Sequence, residues 1–151
     1  MTKNGNATPD IRIISLPQPA HHALQGLIHL ALQPRGASCL ALDAARARRL
    51  PAGALAKTFQ TLAHRGLLIA QRGPGGGYRL LRSPQRISAA DIVDAVVDRR
   101  RSPGCLMENR PCDRKKPCAM HVAALKAGRI VRKRLESLTL ADLCTMEEQE
   151  V

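Results

Sequence analysis

Apolar residues at helical spacing open the structured part of the chain: Ala20, Leu24, Leu27, Ile28 and Ala31 lie three and four positions apart, with Pro34 and Gly36 beyond them. The spacing predicts a first helix over 20–32. A second short helix is expected over 39–49. After the break at Leu50-Pro51 a third runs to His64, with Pro51 near its first position and Gly66 past its end. Three helices joined by short turns resemble a helix-turn-helix.

The period then changes. Residues 67–71 and 78–82 are short extended runs joined by Arg72-Gly-Pro-Gly-Gly-Gly77. Gly73, Gly75, Gly76 and Gly77 supply the positive φ that a tight connection needs, so this segment is expected to be a β-hairpin wing. Ser88 followed by Asp91 makes a capping box that opens a helix through Val97, with Ile92, Val93, Val96 and Val97 as its apolar positions. That helix is expected to pack under the wing.

No periodicity is visible over 98–117. A longer helix starts near Cys118 and carries Ala119, Val122, Leu125, Ile130, Val131, Leu135 and Leu138 on an apolar side. One exposed helix cannot bury that stripe, so a symmetric homodimer with the long helices of two subunits packed together is expected. The fold class is therefore mostly α with a small β-hairpin wing, a winged helix-turn-helix plus a long C-terminal dimerisation helix. The organisation reads as a flexible arm over 1–18, a DNA-binding domain over 19–97, a loop over 98–117, the dimerisation helix and C-terminal segment over 118–144, and an acidic tail over 145–151.

Composition sharpens the partner. The 151 residues include one Phe (Phe59), one Tyr (Tyr78) and no Trp, so Leu, Ala, Ile and Val must build the core, and small residues favour close helix packing. The net charge is +12 and the isoelectric point about 10.6, values that suit a polyanion because each Lys or Arg placed on a phosphate releases condensed counterions. Between Arg46 and Arg86 there are nine basic residues (Arg46, Arg48, Arg49, Lys57, Arg65, Arg72, Arg79, Arg82, Arg86) and no acidic one. A charge run is usually a solvated face, but this one covers the third helix and the wing together, so double-stranded DNA is the expected partner.

The N-terminal end of the third helix, around Ala52, Gly53, Ala54 and Lys57 with Thr58, Gln60 and Thr61 further along, is expected to face the groove. Small side chains there let the backbone approach. Lys57 and Gln60 are candidate base or phosphate contacts, Arg65 and Arg79 candidate DNA contacts beside them, and Arg72 at the wing tip a candidate for the minor groove or backbone. Tyr78 is read as wing or core.

No apolar run matches a signal peptide, and none approaches the roughly 18 residues of a membrane span, so a cytoplasmic protein with reduced thiols is expected. Five cysteines then argue for metal or redox chemistry rather than disulfides. Cys105, Cys112 and Cys118 fall within 14 residues crowded with Arg, Lys and Pro, and His121 follows three positions later. Structural zinc prefers C-x2-C knuckles, and the gaps here are six and five residues. Neighbouring Arg and Lys suit a metal-free thiol switch. An iron-sulfur cluster suits three thiolates on a loop with a harder fourth ligand. Cys39, on an apolar helix side, and Cys144, near the acidic tail, are read as small packing or surface residues. No nucleophile and base set, phosphate loop or paired carboxylates at helical spacing speaks for an enzyme.

The helix-turn-helix, the run Arg72-Gly-Pro-Gly-Gly-Gly-Tyr78, the three cysteines and the long helix followed by Thr-Leu-Ala-Asp-Leu143 together resemble the Rrf-type family of winged-helix bacterial transcription regulators, with its IscR-, NsrR- and RirA-like members. The resemblance spans about residues 12–143. It implies a homodimeric regulator, most simply a repressor, that binds a palindromic operator and senses nitric oxide, redox stress or iron-sulfur status through a 2Fe-2S or 4Fe-4S cluster, 2Fe-2S being favoured. Cys105, Cys112 and Cys118 match the family's ligand cysteines and His121 the fourth ligand. His21 of the partner subunit is the alternative fourth ligand, at a position where an ordinary exposed histidine is the simpler reading. The six-residue first gap and the basic loop depart from the pattern. A metal-free thiol-disulfide regulator is the alternative function, and a zinc-stabilised interaction domain that does not bind DNA is a second.

Overall fold

The computed structural model describes residues 15–98, 113 and 115–149. The expectations for the arm within 1–14, for Cys105 and Cys112, and for the last two residues lie outside the described residues. Among the described residues six helices and one hairpin follow one another: α1 (Gln18–Ala31), α2 (Ala41–Ala47), α3 (Ala52–His64), β1 (Leu68–Gln71), β2 (Gly77–Leu80), a 3-10 turn (Pro84–Arg86), α4 (Ala89–Val96), α5 (Ala119–Ser137) and α6 (Leu140–Gln149).

α1 is the central strut. Its buried side carries Ala20, Ala23, Leu27, Ile28 and Leu30, and it packs against α2, α3, α4 and α6. With only one phenylalanine available, the chain brings the helices close where that ring lies. A Cβ added to Gly26 of α1 would sit 2.5 Å from Phe59 Cε1 and 2.9 Å from Leu55 Cδ1, so glycine is what lets α3 approach. Phe59, Leu27, Leu55, Leu62, Ile87, Ile92 and Leu140 are the largest fully buried side chains.

α4 begins as expected. Ser88 Oγ accepts from the Asp91 amide at 3.0 Å, and Asp91 Oδ2 accepts from the Ser88 amide at 3.0 Å. Its packing differs from expectation, however. α4 lies chiefly against α1, α3 and α5 rather than beneath the wing, because Ala89, Ala90, Ile92 and Ala95 complete the apolar face that α1 leaves open.

At the C-terminal end the chain turns back after α5, and α6 carries the first of the acidic residues expected from 145. The Ala89 amide donates to Leu138 O and the Leu140 amide to Ile87 O, both at 2.8 Å, and Leu140 is wholly buried. Thr139 and Asp142 form a second capping box, with the Thr139 amide donating to Asp142 Oδ2 at 2.8 Å and the Asp142 amide to Thr139 Oγ1 at 3.1 Å. The Thr139 amide and, at 2.7 Å, its hydroxyl both donate to Asp142 Oδ2 and hold the carboxyl below the usual carboxylate range. α6 then lays Leu143 and Cys144 on the core.

α5 is the exception. None of its residues is buried. Arg132 ties it to α4 through Asp94 at 2.7 Å, while Met120, Val122, Leu125 and Ile130 stand exposed.

Candidate nucleic-acid interface and metal-ligand positions

α3 divides cleanly into two sides. Leu55, Thr58, Phe59 and Leu62 are buried. Gly53, Lys57, Gln60 and His64 are exposed, and their spacing of four, three and four places them on one helical face. Thr58, expected to face a groove, is instead buried and donates to the Ala54 carbonyl at 2.9 Å. Thr61 is half-buried and turned back on the Lys57 carbonyl at 3.1 Å. His64 was not among the expected contacts, although the 3.6-residue period running from Lys57 through Gln60 reaches it. Arg65 is exposed at the C-terminal end of the helix.

The hairpin is antiparallel in the register Leu68 with Leu80, Ile69 with Arg79, Ala70 with Tyr78 and Gln71 with Gly77. Alternation puts Tyr78 on the core side, where its ring meets Phe59 edge-on at 5.2 Å and 66°. Tyr78 thus joins the wing to the centre of α3. Arg79 lies on the opposite face with Ile69.

At the tip, Gly73 (φ 89°), Gly75 (φ 71°) and Gly77 (φ 136°) adopt the positive φ expected, whereas Gly76 does not and is fixed instead by space, a Cβ there lying 2.5 Å from Gln71 O; Arg72 is exposed. Gly77 is fixed by space as well, since a Cβ there would lie 2.5 Å from Cys39 O. Cys39 is not on a helix. It forms an isolated antiparallel bridge with Tyr78, amide to carbonyl in both directions at 3.0 and 2.8 Å, alongside the two-stranded wing.

Not every residue of the basic run is open to DNA. Arg48, at the end of α2, is held by Glu147 of α6 through both guanidinium nitrogens, one at 2.8 Å, and reaches Gln25 Oε1 at 3.4 Å. This pairing keeps the Glu147 carboxyl below its ordinary range. Next to it, Arg49 adopts φ 53°, the one non-glycine among the described residues at positive φ, and closes the turn into α3. Arg46, Arg49, Arg82 and Arg86 are exposed.

Of the four expected metal ligands, two lie within the described residues. Cys118 is the N-cap of α5, exposed, with no side-chain capping bond. His121 follows by one turn and is partly exposed, on the same side of the helix start. Lys115 and Lys116 precede them in the open. An open soft donor, an imidazole one turn away and a cationic approach fit an anionic thiolate-held group. The other described cysteines contrast with this. Burial, with help from Asp43 at Cys39 and Glu147 at Cys144, pushes both thiols above their ordinary range, which suits packing residues. His21 is exposed on α1, its ring 6.0 Å from that of buried His22.

A helix-turn-helix whose third helix offers an exposed polar face, braced by a glycine-tipped wing, defines a winged-helix DNA-binding regulator. The chain matches the model of the Rrf2 family, iron-dependent transcriptional regulators, over residues 16–146, and it belongs to that family. It is 29% identical over 128 residues to the HTH-type transcriptional regulator IscR of Cereibacter sphaeroides, covering 83% of this chain and 72% of that protein. To the regulator NsrR of Halalkalibacterium halodurans it is 27% identical over 129 residues, covering 85% of this chain and 88% of that one. Among solved structures, CymR, the global cysteine regulator of B. subtilis, superposes with a TM-score of 0.70 at 23% identity over 88% of this chain and 98% of that one. That likeness extends the agreement to the fold. Among the described residues no helix is long and apolar enough to cross a membrane.

Proposed function

We propose that the protein is a homodimeric repressor whose α3 and wing bind a palindromic operator and whose iron-sulfur cluster sets its affinity for that operator. The observation that carries the DNA reading is the exposed α3 face of Lys57, Gln60 and His64 together with the exposed wing-tip Arg72. Lys57 and Gln60 reach base edges or phosphates in the major groove, Arg65 flanks them, and Arg72 enters the minor groove. Gly73, Gly75, Gly76 and Gly77 let the wing backbone follow the duplex.

Cys105, Cys112 and Cys118 would hold the cluster and His121 would complete it, with His21 of the partner subunit as the lesser alternative. When bound, the cluster supplies reactivity toward nitric oxide, oxidants and iron supply, 2Fe-2S being the favoured form. The chain's own contribution is a mechanical link. Cys118 starts α5, Arg132 of α5 grips Asp94 of α4, and α4 packs on α1 and α3. A change in how Cys118 is held therefore alters the support of the recognition helix, by a coupling of typically about 1–3 kcal/mol.

The dimer reading rests on α5. An apolar groove of about 690 Å³ runs along it, lined by Leu16, Val93, Met120, Val131 and Leu135 among others, and Leu125 and Ile130 stand open beyond it. The matching helix of a second copy covers this surface. The DNA reading is tested by selecting duplexes from a random pool with the purified protein and repeating the binding with Arg72→Ala. A selected inverted repeat bound in a salt-dependent manner, and weakened by the substitution, supports it. No selected sequence, or binding indifferent to salt and to Arg72, overturns it.

A further inference from the structure

A second basic feature lies away from the recognition face. Between the α1–α2 loop and the trailing end of β2 is a cleft of about 430 Å³ lined by Arg35, Arg79 and Arg82, with Ser83 at its rim and Leu30 and Leu80 among its apolar walls. No acidic residue lines it. Among the described residues none of the three arginine side chains has a carboxylate or hydrogen-bond partner. Here three arginines from two segments, the α1–α2 loop and the end of β2, line one concavity whose volume falls in the range of small-molecule sites, and guanidinium forks match phosphate and carboxylate oxygens.

The position argues against duplex DNA as the occupant. The wing tip at 72–76 is one end of the hairpin, and up to about 17 Å of extended chain separates Gly77 from Arg82 at the other. The antiparallel bridge between Cys39 and Tyr78 carries Ala37 and Arg35 in the same direction, away from the tip. Of the expected DNA contacts Arg79 lines the cleft, whereas Lys57, Gln60, Arg65 and Arg72 do not.

We infer that this cleft is a binding site for a small amphipathic anion, a phosphate- or carboxylate-bearing metabolite whose charge is held by Arg35, Arg79 and Arg82 and whose apolar part rests on Leu30 and Leu80. The occupant bridges the α1–α2 loop and β2, two positions beyond the Tyr78 that braces α3. The site is independent of the proposed metal ligands.

Calorimetric titration of the full chain with inorganic pyrophosphate, adenosine monophosphate and citrate tests this. Arg35 and Arg82 are exposed, so Arg35→Ala/Arg82→Ala leaves the fold intact. Saturable binding of at least one probe, weakened about tenfold or more by that double substitution and unchanged by Lys57→Ala/Arg72→Ala, is expected. Preference for adenosine monophosphate over pyrophosphate marks a nucleotide-like ligand, and preference for citrate a carboxylate. No saturable binding of any probe at millimolar concentration overturns the inference, as does binding that is lost instead with Lys57 and Arg72. The slope of log affinity for duplex DNA against log salt is expected to be equal in wild type and the Arg35→Ala/Arg82→Ala protein. A slope reduced by about two units would assign both arginines to DNA phosphates and also overturn it. If the DNA reading itself fails, the anion titration still stands or falls alone.

Discussion

Arg48 and Glu147 are 99 residues apart in sequence and meet side by side, the guanidinium donating to both carboxylate oxygens where α6 crosses the end of α2. The pair is largely shielded, Arg48 more than Glu147. It anchors the C-terminal helix to the turn that delivers the recognition helix. Glu147→Gln is expected to cost about 1–2 kcal/mol of stability, since it leaves a half-buried guanidinium without its counter-charge. Urea unfolding of the two proteins measures it.

The same cluster gives stability an acid dependence. Burial and, after it, the Arg48 charge lower the His29 pKa from its ordinary 6.5, and Arg48 lowers that of Glu147 from 4.5. In both cases the folded state binds fewer protons than the unfolded chain, so stability is full above the ordinary values and lost as pH falls. A first decline is expected below about pH 6.5 from His29 and a second below about 4.5 with Glu147 among its sources. Thermal unfolding across pH should show Glu147→Gln keeping the first decline and losing part of the second.

Gly26→Ala is expected to destabilise the protein by about 1–3 kcal/mol, because the new methyl collides with Phe59 and Leu55. Phe59→Leu placed in the Gly26→Ala background should recover part of that loss, a coupling that independent sites would not show. Melting temperatures of the two singles and the double decide it.

Most of the α1, α3 and wing architecture was legible because local signals agreed there: helical period, Pro51 before α3, Gly66 after it, and glycines where positive φ is needed. What was misread depends on partners distant in sequence. Cys39 looked helical from its neighbours and instead forms a single bridge with Tyr78. Thr58 looked like a groove residue and was claimed by the Ala54 carbonyl. The acidic end carried no local sign of a partner, yet Glu147 answers Arg48. The Thr139 to Asp142 capping box was a readable local sign of that last helix. At the site, the face of Lys57 and Gln60 was readable from period alone and should have included His64. The cysteine pattern was readable as chemistry, but spacing says nothing of how Cys118 sits at a helix start.

On duplex DNA, Lys57→Ala and Arg72→Ala are each expected to reduce the salt slope by about one unit. Thr58→Val should leave affinity and slope unchanged while costing about 1 kcal/mol of stability through the lost bond to Ala54. Fluorescence anisotropy at several salt concentrations separates these outcomes.

Ile130 is 72% exposed and Leu125 49% in the single chain, and a dimer built on α5 covers both. Leu125→Glu/Ile130→Glu is expected to yield monomers by sedimentation velocity with the helical circular dichroism retained and operator affinity greatly weakened.

The central claim is that Cys105, Cys112 and Cys118 together hold an iron-sulfur cluster that governs operator binding. Its most direct test is the visible absorption of protein purified without oxygen, with iron and acid-labile sulfide quantified and operator affinity followed through nitric oxide addition. A brown wild type with equimolar iron and sulfide, a colourless Cys118→Ala protein, and an operator affinity that changes as the absorption bleaches are expected. A colourless wild type without iron, whose operator affinity responds only to thiol oxidation, would contradict the claim and leave the metal-free thiol switch in its place.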